Sequence, residues 1–174
     1  MINALKIQLR TMAYCLRDLI LWLLPNDCFT NRYLRPLILK SMGMKIGSGC
    51  TISKAAYYGS LKNIKIGDDT FINSGGFFHA GGKITIGQKV TIGFQVSFVT
   101  SSHEIGPSEQ RCGTLVRKDT TIEDGVWIAS RVFIGPGVTI GAGSVVAAGA
   151  IVVDTMPSNC LIGGIPAKVI KRID

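Results

Sequence analysis

The sequence has few charged residues and few aromatic ones. Only 17% of its 174 residues are Asp, Glu, Lys or Arg and 7% are aromatic, whereas 47% are apolar and 21 are glycine. So apolar a composition excludes a disordered chain, which needs low hydrophobicity and a high net charge. Frequent glycine beside many Val and Ile residues indicates short strands separated by tight turns. The length fits a single domain.

The sequence lacks the cysteine pattern of a disulfide framework or a zinc site. Its five cysteines are odd in number and widely spaced, with no Cys-x-x-Cys pair. They are Cys15, Cys28, Cys50, Cys112 and Cys160. Free thiols in a reducing compartment are the simplest interpretation. We therefore expect a cytoplasmic protein without a metal site.

The sequence also lacks an apolar run long enough to cross a membrane. The candidate run, residues 19–24, has six residues, whereas a spanning helix needs about 20. Arg17 and Asp18 precede this run, and no small-residue cleavage site of an export signal follows it. We expect neither a transmembrane segment nor a secretory signal.

The net charge of +8 is concentrated near the N-terminus. Residues 1–45 hold seven Lys or Arg against two Asp, a net charge of +5, and the remaining residues hold twelve against nine acids. This basic charge lies on an apolar helix and is not accompanied by a stacking pattern of aromatic residues of the kind that binds bases. We therefore expect no nucleic-acid partner.

Residues 1–45 are predicted to form an N-terminal helical segment. Seven apolar residues recur at steps of three and four, as on one face of a helix. They are Ile2, Leu5, Leu9, Met12, Leu16, Leu19 and Leu23. Pro25 would end this helix, and a second short helix is predicted from about Pro36 to Gly43. The apolar face could lie on a membrane surface, or it could pack on its own domain or on a neighbouring subunit.

From Ile46 onward, apolar residues recur with a period of six. The unbroken series consists of Ile122, Ile128, Ile134, Ile140, Val146 and Val152. The same spacing appears earlier at Ile46 and Ile52, at Ile66, Ile72 and Phe78, and at Ile86, Ile92 and Phe98. A period of six fits a coil with three short flat faces. Each face then contributes one inward-pointing side chain, which recurs every six residues. The sequence predicts an all-β fold of about five triangular coils over residues 46–155.

The six-residue pattern is interrupted once and ends near Asp154. Between Phe98 and Ile122 the sequence predicts an irregular loop, at residues 103–119, that projects from the coil. A long loop inside a regular scaffold is usually functional. Residues 156–174 are predicted to form a turn-rich C-terminal tail with a basic end.

Several motifs together resemble the hexapeptide-repeat acyltransferases, in particular their galactoside and maltose O-acetyltransferase branch. Besides the repeats, these are Thr-Ser-Ser-His at 100–103, Gly-Val-Trp-Ile-Ala-Ser at 125–130 and Gly-Gly-Ile-Pro-Ala-Lys-Val-Ile at 163–170. The likeness covers about residues 60–173. It implies a left-handed parallel β-helix, a homotrimer, and acetyl-CoA bound between neighbouring subunits. The segment that enters the first coil, residues 39–47, is similar to polysaccharide-biosynthesis members.

The resemblance also implies roles for individual residues. His103 matches the catalytic base that removes the proton of the acceptor hydroxyl, a task suited to an imidazole with an ordinary pKa of about 6.5. Ser130 matches a serine that stabilises the oxyanion. Trp127 and Asn73 match acceptor-site residues. His79, the only other histidine, is a candidate acceptor-site residue and a less favoured alternative base.

Small and basic residues match the cofactor site of the family. Ala129, Ser130, Ala147 and Ala148 lie where relatives place small residues beside the pantetheine arm of acetyl-CoA, which requires close approach of the backbone. Lys168 and Lys171 match basic residues that contact the CoA phosphates. A solvated basic tail without a ligand would explain the two lysines equally well.

The residues expected at the acceptor site differ from those of the galactoside enzyme. Gly81 replaces an acidic residue that the galactoside enzyme presents to its sugar, and the N-terminal helix also differs from the family. These departures favour a saccharide acceptor such as a surface-polysaccharide unit or its lipid-linked or nucleotide-linked precursor. O-acetylation is the main expectation, and N-acetylation of a nucleotide-linked amino sugar is the alternative. Two histidines do not suffice for a three-histidine zinc enzyme, and scattered threonines do not form the arrays of an ice-binding β-helix.

Overall fold

Apolar β-branched residues at every sixth position form a triangular parallel β-helix. The computed structural model describes residues 2–173, and in residues 2–11 it describes the backbone only. In chain order the strands of the first three coils are β1 (Lys45–Ile46), β2 (Thr51–Ile52), β3 (Tyr57–Tyr58), β4 (Ile64–Ile66), β5 (Phe71–Ile72), β6 (Phe77–His79), β7 (Ile84–Ile86), β8 (Thr91–Ile92) and β9 (Ser97–Val99). A 3₁₀ turn, Leu61–Asn63, lies between β3 and β4.

The remaining strands comprise two more coils and two hairpins. They are β10 (Ser101–Ile105), β11 (Cys112–Arg117), β12 (Thr120–Ile122), β13 (Trp127–Ile128), β14 (Phe133–Ile134), β15 (Thr139–Ile140), β16 (Val145–Val146), β17 (Ile151–Val152), β18 (Cys160–Gly164) and β19 (Ala167–Arg172). Five coils are therefore complete, and Met156 and β18 begin a sixth. The predicted repeat architecture is confirmed.

The strands stack into three flat parallel sheets, here called faces A, B and C. Face A contains β1, β4, β7, β12 and β15; face B contains β2, β5, β8, β13, β16 and β18; face C contains β3, β6, β9, β14 and β17. The AB edge joins face A to face B at residues such as 67–70 and 123–126. The BC edge comprises the turns at 53–56, 73–76, 93–96, 129–132 and 147–150, and the CA edge carries the connections that return to face A.

The coils differ in length only at the CA edge. On face A the stacked partners Ile46, Ile66 and Ile86 are 20 residues apart, Ile86 and Ile122 are 36 apart, and Ile122 and Ile140 are 18 apart. The spacing of six is kept through the AB and BC edges, for example from Ile66 to Ile72 to Phe78. Additional residues are therefore inserted into the coils only at the CA edge.

The core fills the inside of the triangular coils. The inward isoleucines and valines are almost completely buried, and burying each contributes about 1.5–3 kcal/mol. The rings of Tyr58, Phe78 and Phe98 stack inside face C with centroid distances of 5.5 and 5.2 Å. Gly67 illustrates the close stacking of turns, because a Cβ there would lie 2.5 Å from the backbone nitrogen of Gln88. Each coil thus constrains the residue types of the next.

Helices cover the N-terminal end of the β-helix. The helix α1 spans Ile2–Leu23, a π-helical turn spans Thr30–Leu34, and α2 spans Arg35–Ser41. The second helical segment thus begins before Pro36, earlier than predicted. Leu21, Arg35 and Leu39 are buried against the first coil.

The exposure of the outer face of α1 contradicts one predicted interpretation, namely packing of this face on its own domain. Met12, Leu16, Leu19 and Leu23 are all at least half exposed, so this face does not pack on its own domain. The side chains of Ile2, Leu5 and Leu9, which were assigned to the same face, lie outside the described residues. Packing on a neighbouring subunit and contact with a membrane surface stay predictions.

Two predicted irregular segments are regular hairpins, and both expectations were wrong in this respect. The loop at 103–119 is an antiparallel hairpin of β10 and β11, in which His103 pairs with Leu115. In the tail, β18 continues face B beside β16 and then pairs antiparallel with β19. Pairing of the two strands satisfies the hydrogen bonds of their backbone N–H and C=O groups. The hexapeptide pattern does not reveal this pairing.

Candidate active site

Most of the predicted cofactor residues lie together along the BC edge. Ala129, Ser130, Ala147 and Ala148 occupy the two upper turns of this edge, and Asn73 lies in a lower one. Part of this edge forms an open groove of about 820 Å³. The groove is lined by Ser74, Gly75, Phe94, Gln95, Ser130, Arg131, Ala148 and Gly149. The stacked turns therefore place small residues along one line.

At the second position of the BC turns, two backbone N–H groups have no protein acceptor among the described residues. At the second position of the lower turns, the Ser74 N–H donates to Asn73 Oδ1 at 2.9 Å and the Phe94 N–H donates to Ser130 Oγ at 3.2 Å. Within residues 2–173, the corresponding N–H groups of Ser130 and Ala148 donate to no protein atom. Adjacent coils are about 4.8 Å apart. The upper BC edge thus presents two neighbouring donors to a ligand.

The Ser130 hydroxyl is oriented by the coil below it. Its oxygen accepts the hydrogen bond from Phe94, so the hydroxyl hydrogen is available to a second acceptor. A Cβ at Gly93 would lie 3.0 Å from this oxygen, so glycine leaves room for the serine side chain. Ser130 can therefore offer both its backbone N–H and its O–H to one developing negative charge.

The two histidines lie at the CA edge. His103 is exposed on β10, where the hairpin leaves the β-helix. His79 ends β6 one coil below, and its Nδ1 lies 3.3 Å from Ser101 Oγ. Because side chains alternate along a strand, Ser101 and His103 point to the same side of β10. Both imidazoles therefore belong to one side of the hairpin base.

Face C separates the histidines from the BC edge within one chain. From Phe94, which contacts Ser130, the chain crosses face C to Thr100 before β10 begins. At about 3.3 Å per residue this crossing measures roughly 20 Å. His103 and Ser130 of the same chain are therefore not brought together, although each lies at an edge of the same face.

Trp127 and the C-terminal lysines lie on face B. Trp127 points outward from β13 and is 54% exposed. Lys168 and Lys171 are exposed on β19, which extends face B beyond β18. Lys168 Nζ lies 3.3 Å from an Asp154 carboxylate oxygen, and an exposed pair of this kind contributes little stability. Both lysines can therefore contact an anion.

Sequence reasoning missed the aromatic and basic members of the groove. Phe94 is 53% exposed at a turn position that three other coils fill with Ser74, Ser130 and Ala148. Arg131 donates from Nε to Gln95 Oε1 at 3.1 Å and has a positive φ of 61°. A large aromatic residue at a corner position was the signal that could have identified Phe94. Among the described residues no cluster of three metal-ligating side chains occurs.

Comparison with known proteins agrees with the geometry. A family model described as bacterial transferase hexapeptide (six repeats) matches residues 119–154. A hexapeptide-repeat acetyltransferase from Vibrio cholerae O1 biovar eltor, solved with acetyl coenzyme A, is 33% identical with a TM-score of 0.76, and the match covers 91% of this chain and 86% of that one. No curated protein matches the chain significantly.

Two further solved structures cover nearly the whole chain. A galactoside acetyltransferase in complex with coenzyme A is 29% identical with a TM-score of 0.77, covering 91% of this chain and 80% of that one. A maltose O-acetyltransferase from Clostridium difficile 630 is also 29% identical, with a TM-score of 0.74 and coverage of 93% and 86%. More distantly, a perosamine N-acetyltransferase from Caulobacter crescentus, at 23% identity and a TM-score of 0.56, shares the fold over 74% of this chain and 51% of that one.

These observations define an acyltransferase built on a left-handed β-helix. The chain belongs to the hexapeptide-repeat acetyltransferases, at 33% identity over most of both chains. The expected likeness to galactoside and maltose O-acetyltransferases is confirmed.

Proposed function

We propose that the protein transfers an acetyl group from acetyl-CoA to a hydroxyl of a saccharide, with His103 as general base. The observation that carries this proposal is the pair of unpartnered N–H groups at Ser130 and Ala148, at the edge of face C opposite the histidines. A thioester needs hydrogen-bond donors for its oxygen, and a hydroxyl nucleophile needs a base. The two edges of face C supply these two requirements separately.

A homotrimer would bring the two edges together. Suppose that three copies direct face C toward a common three-fold axis that runs parallel to the axis of each β-helix. The CA edge of each copy then meets the BC edge of the next copy. The outward side of face C suits such burial, because Tyr57 and Phe77 are partly exposed and stack at 4.9 Å, with Phe133 and Ile151 above them. The outward residues of face A are instead Lys and Thr. Each of the three sites would then contain residues from two copies.

The BC edge fits the extended arm of acetyl-CoA. The small side chains of Ala129, Ala147 and Ala148 allow close approach, and a Cβ at Gly149 would meet no atom within 4 Å. The N–H groups of Ser130 and Ala148 can donate to carbonyl oxygens of the arm. Lys168 and Lys171 provide positive charge for its phosphates. Solved relatives with acetyl-CoA or CoA support this donor.

The reaction follows from the placement of the residues. His103 of one copy accepts the proton of the acceptor hydroxyl while that oxygen forms a C–O bond with the acetyl carbonyl carbon. Ser130 of the next copy donates to the oxygen that becomes negative, a contribution of roughly 3–4 kcal/mol. As the C–S bond breaks, His103 returns the proton to the departing sulfur. Atoms and charges balance without a metal or an oxidant.

The acceptor is proposed to be a unit of a surface polysaccharide or its precursor. His79 lies beside Ser101 on the same side of the hairpin base as His103, and it can contact acceptor hydroxyls. Trp127 offers an exposed ring on which a sugar can pack. Asn73 Oδ1 accepts a hydrogen bond from the Ser74 N–H, and the amide nitrogen of Asn73 is a donor for the acceptor sugar. N-acetylation of an amino sugar is the second candidate, since N-acetyltransferases share the fold.

We place the enzyme in the cytoplasm. All five cysteines are free thiols, and Cys15, Cys28 and Cys112 are exposed, which suits a reducing compartment. None of the helices described is sufficiently long and apolar to cross a bilayer.

An acceptor panel tests the proposal. The full chain is incubated with acetyl-CoA and matched hydroxyl and amino saccharides, free and lipid-linked, and release of CoA and the mass of the product are measured. We expect ester formation, and a loss of about 10²–10⁴-fold in kcat for His103→Ala with unchanged CoA binding. Exclusive amide products would favour the second candidate. Full activity of His103→Ala would overturn the assigned base.

A further inference from the structure

The helices at the N-terminal end bury one side against the β-helix and expose an apolar opposite side. Leu21 of α1 and Arg35 at the start of α2 are both buried against the first coil. Two residues along a helix correspond to a rotation of about 200°. Leu19 and Leu23, two residues from Leu21, and Leu37, two residues from Arg35, therefore lie on the outer sides of the helices. Leu19 and Leu37 also line depressions between the helices and the first coil.

The exposed set forms one surface, here called the end platform. Its members are all between 51% and 67% exposed and are Met12, Leu16, Leu19, Leu23, Phe29, Tyr33 and Leu37. Because both helices cover the same end of the β-helix, their outer sides face the same direction. Single exposed apolar residues are ordinary, but a contiguous group of this size marks a binding surface.

The charges near the end platform lie at its rim. Within residues 12–23 the only charged side chains are Arg17 and Asp18, which bond to each other, and Arg17 also donates to the carbonyl oxygens of Tyr58 and Gly59 at 2.8 Å. Arg32 and Lys40 instead border the same depression of about 340 Å³ as Tyr33 and Leu37. An apolar centre with a basic rim matches the interface of an anionic bilayer.

We propose that the end platform binds the surface of an anionic lipid bilayer. Arg32 and Lys40 at the rim complement acidic headgroups, and the exposed aromatic rings of Phe29 and Tyr33 suit the headgroup region. The platform lies at one end of the β-helix, so it remains free when copies associate side by side. In the three-fold arrangement, which rests on the proposed function, three platforms face the bilayer together and strengthen binding by multivalency.

This orientation favours a lipid-linked acceptor. The hairpin with His103 leaves the third coil, two layers above β3, and hence about 10 Å above the first coil at the strand spacing of stacked sheets. A saccharide attached to a membrane lipid would extend from the headgroups to this height. The end platform would thus hold the CA edge, with His103, near the acceptor.

Co-sedimentation of the full chain with vesicles tests the inference. We expect binding to phosphatidylcholine vesicles that contain phosphatidylglycerol, weaker binding to phosphatidylcholine alone, and a decrease at high salt. The double variant Leu19→Glu, Leu23→Glu should reduce the partition coefficient by about tenfold or more. The matched control is Ile105→Glu, which replaces an 87% exposed apolar residue at the hairpin and should bind vesicles as the wild type does.

Other measurements separate this inference from the proposed function. The double variant should retain its fold by circular dichroism and its acetyl transfer to a free saccharide, because neither leucine contacts the proposed site. Unchanged vesicle binding by the double variant, or no binding by the wild type, would overturn the inference. The inference would also be overturned if the wild-type assembly had twice the mass of the double variant's assembly. End-to-end pairing of copies would then occupy the end platform. Loss of transfer activity with intact vesicle binding would instead count against the proposed function alone.

Discussion

At the scale of single residues, one turn position distinguishes the upper coils of the BC edge from the lower ones. Ser74, Phe94, Ser130 and Ala148 occupy equivalent positions in successive coils, yet only the upper two leave their N–H groups without a protein acceptor. Asn73 and Ser130 supply the acceptors for the lower two. At this turn position, the unpaired donors therefore lie in the two upper turns, beside the small side chains of Ala129 and Ala147.

A charge reversal tests the proposed phosphate contacts. The variant Lys168→Glu, Lys171→Glu should raise the KM for acetyl-CoA by about tenfold or more, because two attractive contacts with phosphate become repulsive. The KM for the acceptor should change little. Steady-state kinetics with each substrate varied in turn provide the measurement.

The control for this charge reversal lies on another face. Lys65 and Lys83 are exposed on face A and at the CA edge, so Lys65→Glu, Lys83→Glu changes the net charge equally. If this control raised the KM for acetyl-CoA as much, the effect would reflect overall charge and not a site on β19.

The sequence allowed Ser130, Ala148 and His103 to be selected, because each stands at a fixed offset in a repeat or motif. The unpaired state of two N–H groups could not be predicted, since it depends on whether a neighbouring turn supplies an acceptor. Likewise, the contact between His79 and Ser101 joins residues from different coils. Phe94 was missed because a repeat pattern directs attention to inward positions.

At the scale of elements, Arg35 connects the helices to the β-helix. It is completely buried, and its guanidinium donates to the carbonyl oxygen of Pro25 at 2.7 Å and to that of Leu21 at 3.3 Å. These oxygens belong to the end of α1 and the turn after it, where a cation also interacts favourably with the helix dipole. Burial lowers the pKa of Arg35, but an arginine remains charged in proteins.

Removal of this side chain should destabilise the helical end. Arg35→Ala leaves buried carbonyl oxygens without donors and creates a cavity, at a cost of about 2–4 kcal/mol. The melting temperature should fall by roughly 5–15 °C in differential scanning fluorimetry. Arg32→Ala is the matched control, because Arg32 is exposed and should change the melting temperature only slightly. Equal melting temperatures for wild type and Arg35→Ala would contradict this assignment.

Regular elements were predictable where one period persisted. The period of six gave the coils, and steps of three and four gave α1. The two hairpins were not predicted, because each of β11 and β19 pairs antiparallel with a strand close in sequence and therefore carries no hexapeptide pattern. The exposure of the apolar face of α1 depends on tertiary packing, which periodicity alone does not specify.

At the scale of the whole molecule, the separation of His103 and Ser130 predicts shared sites. His103→Ala and Ala148→Trp should each be inactive alone, the first without its base and the second with a blocked groove. Mixed trimers formed from equal amounts of both should recover about a quarter of wild-type activity, because some sites then combine two intact edges. No recovery in verified mixed trimers would show that each site lies within one chain.

The unequal coil lengths have a consequence for how such a protein can diversify. Because the AB and BC edges keep a constant spacing and only the CA edge accommodates additional residues, new segments can be inserted there without shifting the register of any stacked strand. The groove for the acyl donor would stay unchanged while the surroundings of the acceptor vary. The CA edge can thus acquire new segments while the AB and BC edges keep their spacing.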